Sequence, residues 1–147
     1  MASGWYTPAK TKVFKGDLDF DTADVRVIIV MSNTTADTEM DAASISAFTT
    51  LDEYDGTGYT RADLTTPAVA SDLTNDRVEV DYDDFTFGAT VGAGTRQGVG
   101  LVVYVRVDGT SANDYPVAFI DSASNPFQGT GGPLNVTVNA QGLLWGS

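Results

Sequence analysis

A chain of 147 residues with a net charge of −12 and neither cysteine nor histidine suits one domain that is stabilised by packing or by assembly rather than by disulfides. The absent residue types exclude a cysteine nucleophile, a Ser-His-Asp triad and a histidine-ligated zinc site. The acidic balance opposes nucleic-acid binding, and no apolar run is long enough for a signal peptide or a membrane span. We therefore predict neither a nucleic-acid nor a membrane partner.

The positive and negative charges are divided along the chain. All three lysines fall in the first fifteen residues, and all twenty acidic residues follow them. This division predicts an extended basic arm, residues 1–15, that reaches an acidic surface, and a single β-sandwich domain, residues 16–147. We expect that deleting the arm leaves the domain folded. Large aromatics at a chain end either anchor the terminus or insert into a neighbour. The predicted partner-binding residues of the arm are Trp5, Tyr6, Lys10, Lys12 and Lys15.

Beyond the arm, short runs of alternating apolar and polar residues separated by turn-forming clusters predict a β-rich chain. The run Val25–Met31 becomes apolar on both faces, so we expect a central strand covered on each side. Alternation places Val78, Val80 and Tyr82 on the inner face of one run. In another run it places residues 101, 103, 105 and 107 on the inner face and Tyr104 on the opposite face. The predicted strands are Val25–Met31, 59–64, Ala68–Asp72, 78–82, 85–87, 101–107, 117–120 and 134–138. We predict an all-β antiparallel sandwich of about seven or eight strands, Ig-like or jelly-roll-like, with one short helix.

Two segments depart from the strand pattern. Met40, Ile45 and Phe48 have near-helical spacing, which predicts a short helix over 38–48; an irregular loop is the alternative, since Ser and Thr are poor residues for a helix interior. The glycine-rich segment 90–100 predicts a mobile connection. It is not a phosphate-binding loop, because a strand follows it and the chain has no lysine after Lys15.

Two acidic clusters are candidate sites. Asp17, Asp19 and Asp21 alternate as in a calcium loop, but the glycine and the bidentate glutamate of an EF-hand are missing, so a solvated strand entry is favoured over a looser cation site. Asp81, Asp83 and Asp84 could pair for hydrolysis of a sugar, although nothing in the sequence indicates the burial that perturbed acids need. The sequence therefore predicts no enzyme, no cofactor and no metal site.

Several landmarks occur in a specific order over most of the chain. They are the segments of residues 19–22, 25–30, 56–60, 80–84, 85–87, 103–105, 117–121 and 136–144, in that order. In this order they resemble small tailed-bacteriophage virion structural proteins of the head decoration, or capsid cement, type.

The resemblance implies a β-sandwich virion component without catalytic residues. Decoration proteins clip onto the outer surface of the head, commonly as trimers, and stabilise it by bridging capsomers. The expected partners are therefore the major capsid protein and further copies of the chain, with a trimer favoured. The expected location is the outer surface of the virion head, after assembly in the cytoplasm of the bacterial host.

Two other functions stay open at this point. A tail, neck or fibre component could use the same sandwich as an adaptor or as a receptor-binding module. A carbohydrate-binding module is a more distant third, for which Tyr54, Tyr59 and Tyr104 would supply the aromatic surface.

Overall fold

The computed structural model describes residues 2–146, and within that range the chain is mainly β, with ten strands and one α-helix. The elements are β1 (Gly4–Trp5), α1 (Thr7–Lys15), β2 (Val25–Met31), β3 (Ala62–Asp63), β4 (Ala68–Asp72), β5 (Arg77–Asp81), β6 (Phe85–Thr86), β7 (Gly98–Val105), β8 (Tyr115–Asp121), β9 (Asn135–Val136) and β10 (Leu144–Gly146). All the sheets are antiparallel. The predicted all-β, sandwich-like class with one short helix is confirmed.

The largest sheet has five strands in the order β1-β8-β7-β2-β3. Its centre is the pairing of β2 with β7, in which Val27 lies opposite Val103 and Ile28 opposite Val102. Both alternating sets of β2 side chains are buried, apart from the half-buried Arg26. The prediction of a central strand covered on each side is confirmed, because an apolar run on both faces requires cover on both.

Two smaller sheets complete the molecule: β10-β5-β4 and β6-β9. The inner parts of both reach the common core, which includes Val80 and Leu144 from the first and Phe85 from the second. The strands at Val25–Met31 and Ala68–Asp72 have the predicted bounds, and each of the other six predicted runs overlaps a strand that is shorter, longer or shifted.

Some inward assignments within those strands were wrong. Val78 is exposed because its end of β5 extends past the core, and Val107 is exposed because β7 ends at Val105. Tyr104 was assigned to the face opposite the core, yet it is buried. The guanidinium of Arg61 lies 5.4 Å from the centroid of the Tyr104 ring and covers that second face.

The helix lies elsewhere in the chain than predicted. Segment 38–48 contains turns and a single 3-10 turn at Ile45–Ala47, so the loop alternative is the correct one. Glu39 holds this loop, since its carboxylate accepts hydrogen bonds from the Thr35 hydroxyl at 2.6 Å and from the Thr49 amide at 2.8 Å. Side chains that bond to local backbone in this way favour turns over helix.

The glycine-rich segment 90–100 is packed, which corrects its predicted mobility. The Tyr54 hydroxyl accepts hydrogen bonds from the amides of Gly94 at 2.8 Å and Gly129 at 2.9 Å, and it donates one to the Gly92 carbonyl at 3.1 Å. A Cβ on Gly94 would come within 2.7 Å of the Tyr54 ring. Glycine is therefore used here for close backbone approach rather than for flexibility.

Candidate interaction surface

The first fifteen residues are folded into the body over their described part, so the predicted extended arm is wrong in conformation. Pro8 lies in the first turn of α1, where its missing amide costs nothing, and Gly16 ends the helix with φ of 77°. The amides of Gly16 and Asp17 close that end on the carbonyls of Val13 and Lys12. Met1 and Ser147, the outer ends of the two predicted segments, lie outside the described residues.

Tyr6 attaches this segment to the core. Its side chain is fully buried, and its hydroxyl donates a hydrogen bond to the Ala36 carbonyl at 2.6 Å. Burial raises the pKa of the phenol, with Asp37 as the next contribution. Tyr6 is therefore a core residue, and its side chain has no exposed surface for a partner in this structure.

Trp5 lies close to the C-terminal strand. Its indole N–H donates a hydrogen bond of 2.7 Å to the Trp145 carbonyl, and its ring meets Phe20 edge to face at 5.8 Å. Of the two roles considered for it, the structure shows terminus anchoring. Trp5 and Tyr6 do not lie beside the lysines on one outward surface, because β1 turns them toward β8 and the core.

The outward side of α1 combines charge with an exposed aromatic ring. Phe14 is 90% exposed, and Lys10 and Lys15 beside it are also exposed. Lys10 and Phe14 are four residues apart, so they project from the same side of the helix. Lys12 instead turns toward the body, where its ammonium lies 4.7 Å from the centroid of the Tyr115 ring. We name Lys10, Phe14 and Lys15 the α1 face.

The charge around the α1 face makes it distinctive. Lys10, Lys12 and Lys15 are the only lysines of the chain, and the remainder has five arginines against twenty acidic residues. Four of those arginines, at 26, 61, 77 and 96, form ion pairs within 2.9 Å of a carboxylate, and Arg106 lies 3.5 Å from Asp24. An exposed phenylalanine with one lysine four residues before it and another directly after it on the same helix is suited to an acidic surface with an apolar depression.

Sequence reasoning found the lysines and missed Phe14. Two signals were available: a proline and a glycine bracket the segment as they bracket helices, and Phe14 follows Lys10 at helical spacing. The segment was interpreted as an extended arm because its lysines dominated its composition.

The acidic clusters are occupied by structural contacts. The carboxylate of Asp19 accepts the Asp21 amide at 3.0 Å, and Asp24 pairs with Arg26 at 2.9 Å. Asp83 accepts the Thr66 hydroxyl at 2.6 Å, and Asp84 accepts the Val138 amide at 2.8 Å. Among residues 2–146, no group of three or more acidic side chains is arranged to hold a metal ion.

The tyrosines considered for sugar binding do not form an exposed row. Tyr54 and Tyr104 are buried, and Tyr59 is half-buried with its hydroxyl donating to Glu53 at 3.2 Å and accepting the Ile29 amide at 3.0 Å. Burial raises the pKa of Tyr59. These rings pack the interior instead of presenting a stacking surface.

A groove of about 630 Å³ lies between β3 and the β6-β9 pair, and its residues are remote in sequence from α1. Its one guanidinium, Arg61, is already held by Glu53 at 2.8 Å. The groove therefore has no free cation for an acidic ligand, and the α1 face remains the better candidate.

Comparisons with protein-family models, with curated proteins and with solved structures found no match to this chain. Over the described residues, α1 and the 3-10 turn are too short and too polar for any helix to cross a membrane.

Proposed function

We propose that the chain is a non-catalytic virion structural protein of a tailed bacteriophage, a head decoration protein that binds the outer surface of the head. Its partners are the major capsid protein and further copies of itself, and it stabilises the head by bridging capsomers. The order of sequence landmarks supports this family, and the β-sandwich-like fold agrees with it.

The observation that carries the proposal is the α1 face on an otherwise acidic body. Phe14 is exposed on α1, a helix that follows the fully buried Tyr6 directly and whose Ala9 is buried in the core. Such a helix can bind without refolding, so little conformational entropy is lost on binding. Lys10 and Lys15 steer the α1 face toward carboxylates on the capsid. Phe14 then enters an apolar depression between those carboxylates.

The test measures binding of purified protein to expanded heads that lack it. Phe14→Ser removes the apolar anchor, and we expect the apparent Kd to rise roughly tenfold or more. Lys10→Gln with Lys15→Gln should weaken binding and reduce its dependence on salt, because fewer ion pairs are then screened.

A matched control keeps the net charge change the same. Ala123→Glu with Ser124→Glu lowers the net charge by the same two units as the double lysine variant, at exposed positions beyond the end of β8 opposite Tyr115, which is the residue that Lys12 of α1 contacts. We expect near wild-type binding from this control. Unchanged binding of both α1-face variants, with their folds intact by circular dichroism, would contradict the proposal.

A further inference from the structure

The hairpin formed by β4 and β5 exposes apolar side chains that the α1 face does not explain. Val69 is 48% exposed, Val78 is 46% exposed, and Leu73 at the tip is 86% exposed. A monomeric domain of this size normally keeps such residues scattered, whereas these three share one hairpin.

The hairpin is nevertheless well held. The Asp72 carboxylate accepts hydrogen bonds from the Thr74 amide at 3.0 Å and from the Asn75 side chain at 2.6 Å. Arg77 pairs with Asp72 at 3.2 Å and with Glu79 at 2.6 Å. The tip is therefore fixed by its own polar contacts, and its apolar side chains are presented in a defined position.

The two faces of the hairpin differ in charge. Val69 lies opposite Val80, and Ser71 lies opposite Val78, so one face carries no charge and continues into the core at Val80. The other face carries Asp72 opposite Arg77, and Glu79 opposite Ala70. The uncharged face thus extends the apolar interior of the sheet into solvent.

The outer edge of β4 is open. β4 is the last strand in the order β10-β5-β4, and its first four residues, 68–71, are exposed and uncharged. In the part of the chain that the structure describes, β4 pairs with β5 alone. Natural edge strands are usually protected by charges, prolines or bulges, and an unprotected edge accepts a further strand.

We propose that β4 pairs antiparallel with β4 of a second copy of this chain, about a two-fold axis through Ala70. This register sets Ala70 against Ala70, Val69 against Ser71, and Ala68 against Asp72. The two hairpins then form one continuous sheet, and the Val69 and Val78 side chains of both copies join in one apolar surface.

Charge allows a second copy at this edge, although it opposes one elsewhere on the surface. Each copy carries −12, so two copies repel one another across most of their surfaces. Along β4 the one charged residue is Asp72, which already has Arg77 as a partner. The small side chains of the edge oppose one another without a like-charge pair, which is the requirement for an isologous interface.

The β4 pairing extends the proposed function, because it specifies how copies of the chain contact one another. Only the role of this pairing at the head rests on the proposed function. A two-fold pair replaces the trimer that the resemblance implies. It would also present two α1 faces from one particle, and such bivalency strengthens attachment when both can engage.

The experiment uses the isolated full chain in sedimentation equilibrium over a range of concentrations. Wild type should reach twice the 15.5 kDa mass of one chain. Ala70→Lys and Ala70→Glu each place like charges opposite one another, so each should raise the dimer Kd about tenfold or more. An equal mixture of the two variants should restore the dimer, because Lys then opposes Glu.

Ala112→Lys and Ala112→Glu are the matched controls, since they add the same charges at an exposed position outside the hairpin; their dimer Kd should equal that of wild type. Circular dichroism checks that every variant is folded. A monomeric or trimeric wild type, a dimer unaffected at Ala70, or a mixture that stays monomeric would each overturn the proposal. None of these results depends on binding to heads, so failure here is distinguishable from failure of the α1 face.

Discussion

The indole N–H of Trp5 donates a hydrogen bond of 2.7 Å to the main-chain oxygen of Trp145. This contact joins β1, an edge of the five-stranded sheet, to β10, an edge of the three-stranded sheet. The two sheets are thus linked near both ends of the described chain.

Removing that hydrogen bond should weaken the link measurably. Trp5→Phe keeps an aromatic ring near Phe20 but lacks the donor, so we expect the free energy of unfolding to fall by about 0.5–1.5 kcal/mol. Urea denaturation measures this change in the free energy of unfolding. Trp145→Phe is the control, because the acceptor belongs to the main chain and is retained. An equal loss in the two variants would show that ring packing, rather than the hydrogen bond, is responsible.

Deletion of residues 1–15 should destabilise the body, contrary to the expectation from sequence. The deletion removes Tyr6, which is fully buried, together with the pairing of β1 with β8. We expect a loss of about 3 kcal/mol or more, as for removal of a buried aromatic. Thermal melting compares the chain that lacks residues 1–15 with a control chain that lacks only residues 1–2. A truncated chain that melts at the wild-type temperature would restore the idea of a separable arm.

Tyr54→Phe tests the packing of segment 90–100. The variant leaves the amides of the half-buried Gly94 and the buried Gly129 without their acceptor, and donors left unsatisfied away from water are costly. We expect a loss of about 2 kcal/mol or more, with faster hydrogen exchange at the Gly94 amide. Tyr115→Phe, which keeps a ring beneath Lys12, should change stability less. Unaltered exchange at Gly94 would argue against the proposed role of the Tyr54 hydroxyl.

Acid should destabilise the fold. Hydrogen bonds lower the folded-state pKa of four carboxylates, mainly from Thr35 to Glu39, from the Thr95 amide to Asp55, from Asn75 to Asp72 and from Asn113 to Asp108. A carboxylate whose folded-state pKa is lowered stabilises the fold at pH values above its unfolded-state pKa, which is about 4. This stabilisation is lost as the pH falls through the folded-state pKa. Melting temperature in high salt should therefore stay level above about pH 5 and fall below about pH 4. A rise on acidification would contradict these assignments.

Local sequence patterns predicted the positions of the strands well, but they predicted less well which side chains of each strand face the core. Val25–Met31 and Ala68–Asp72 have the predicted bounds because alternation and turn residues act within a few positions. Val78 obeys the same alternation but is exposed, because its burial depends on how far β5 extends past the core. That extent is a tertiary property that periodicity does not encode.

The candidate surface was only partly predictable. The three lysines were evident, but their grouping with Phe14 required the helix, and Tyr6 was assigned to a partner when it fills the core. The contacts of Tyr54 with Gly94 and Gly129 join residues 40 and 75 positions apart. Separations of that kind leave no periodic trace in a sequence.

The most direct test of the account is the location of the protein on the particle. Antibody labelling of intact virions that carry it, viewed by electron microscopy, should show label spread across the head, and label should be reduced on virions assembled with the more weakly binding Phe14→Ser variant. Label confined to the tail, neck or fibres, with a bare head, would contradict decoration and favour an adaptor or receptor-binding role.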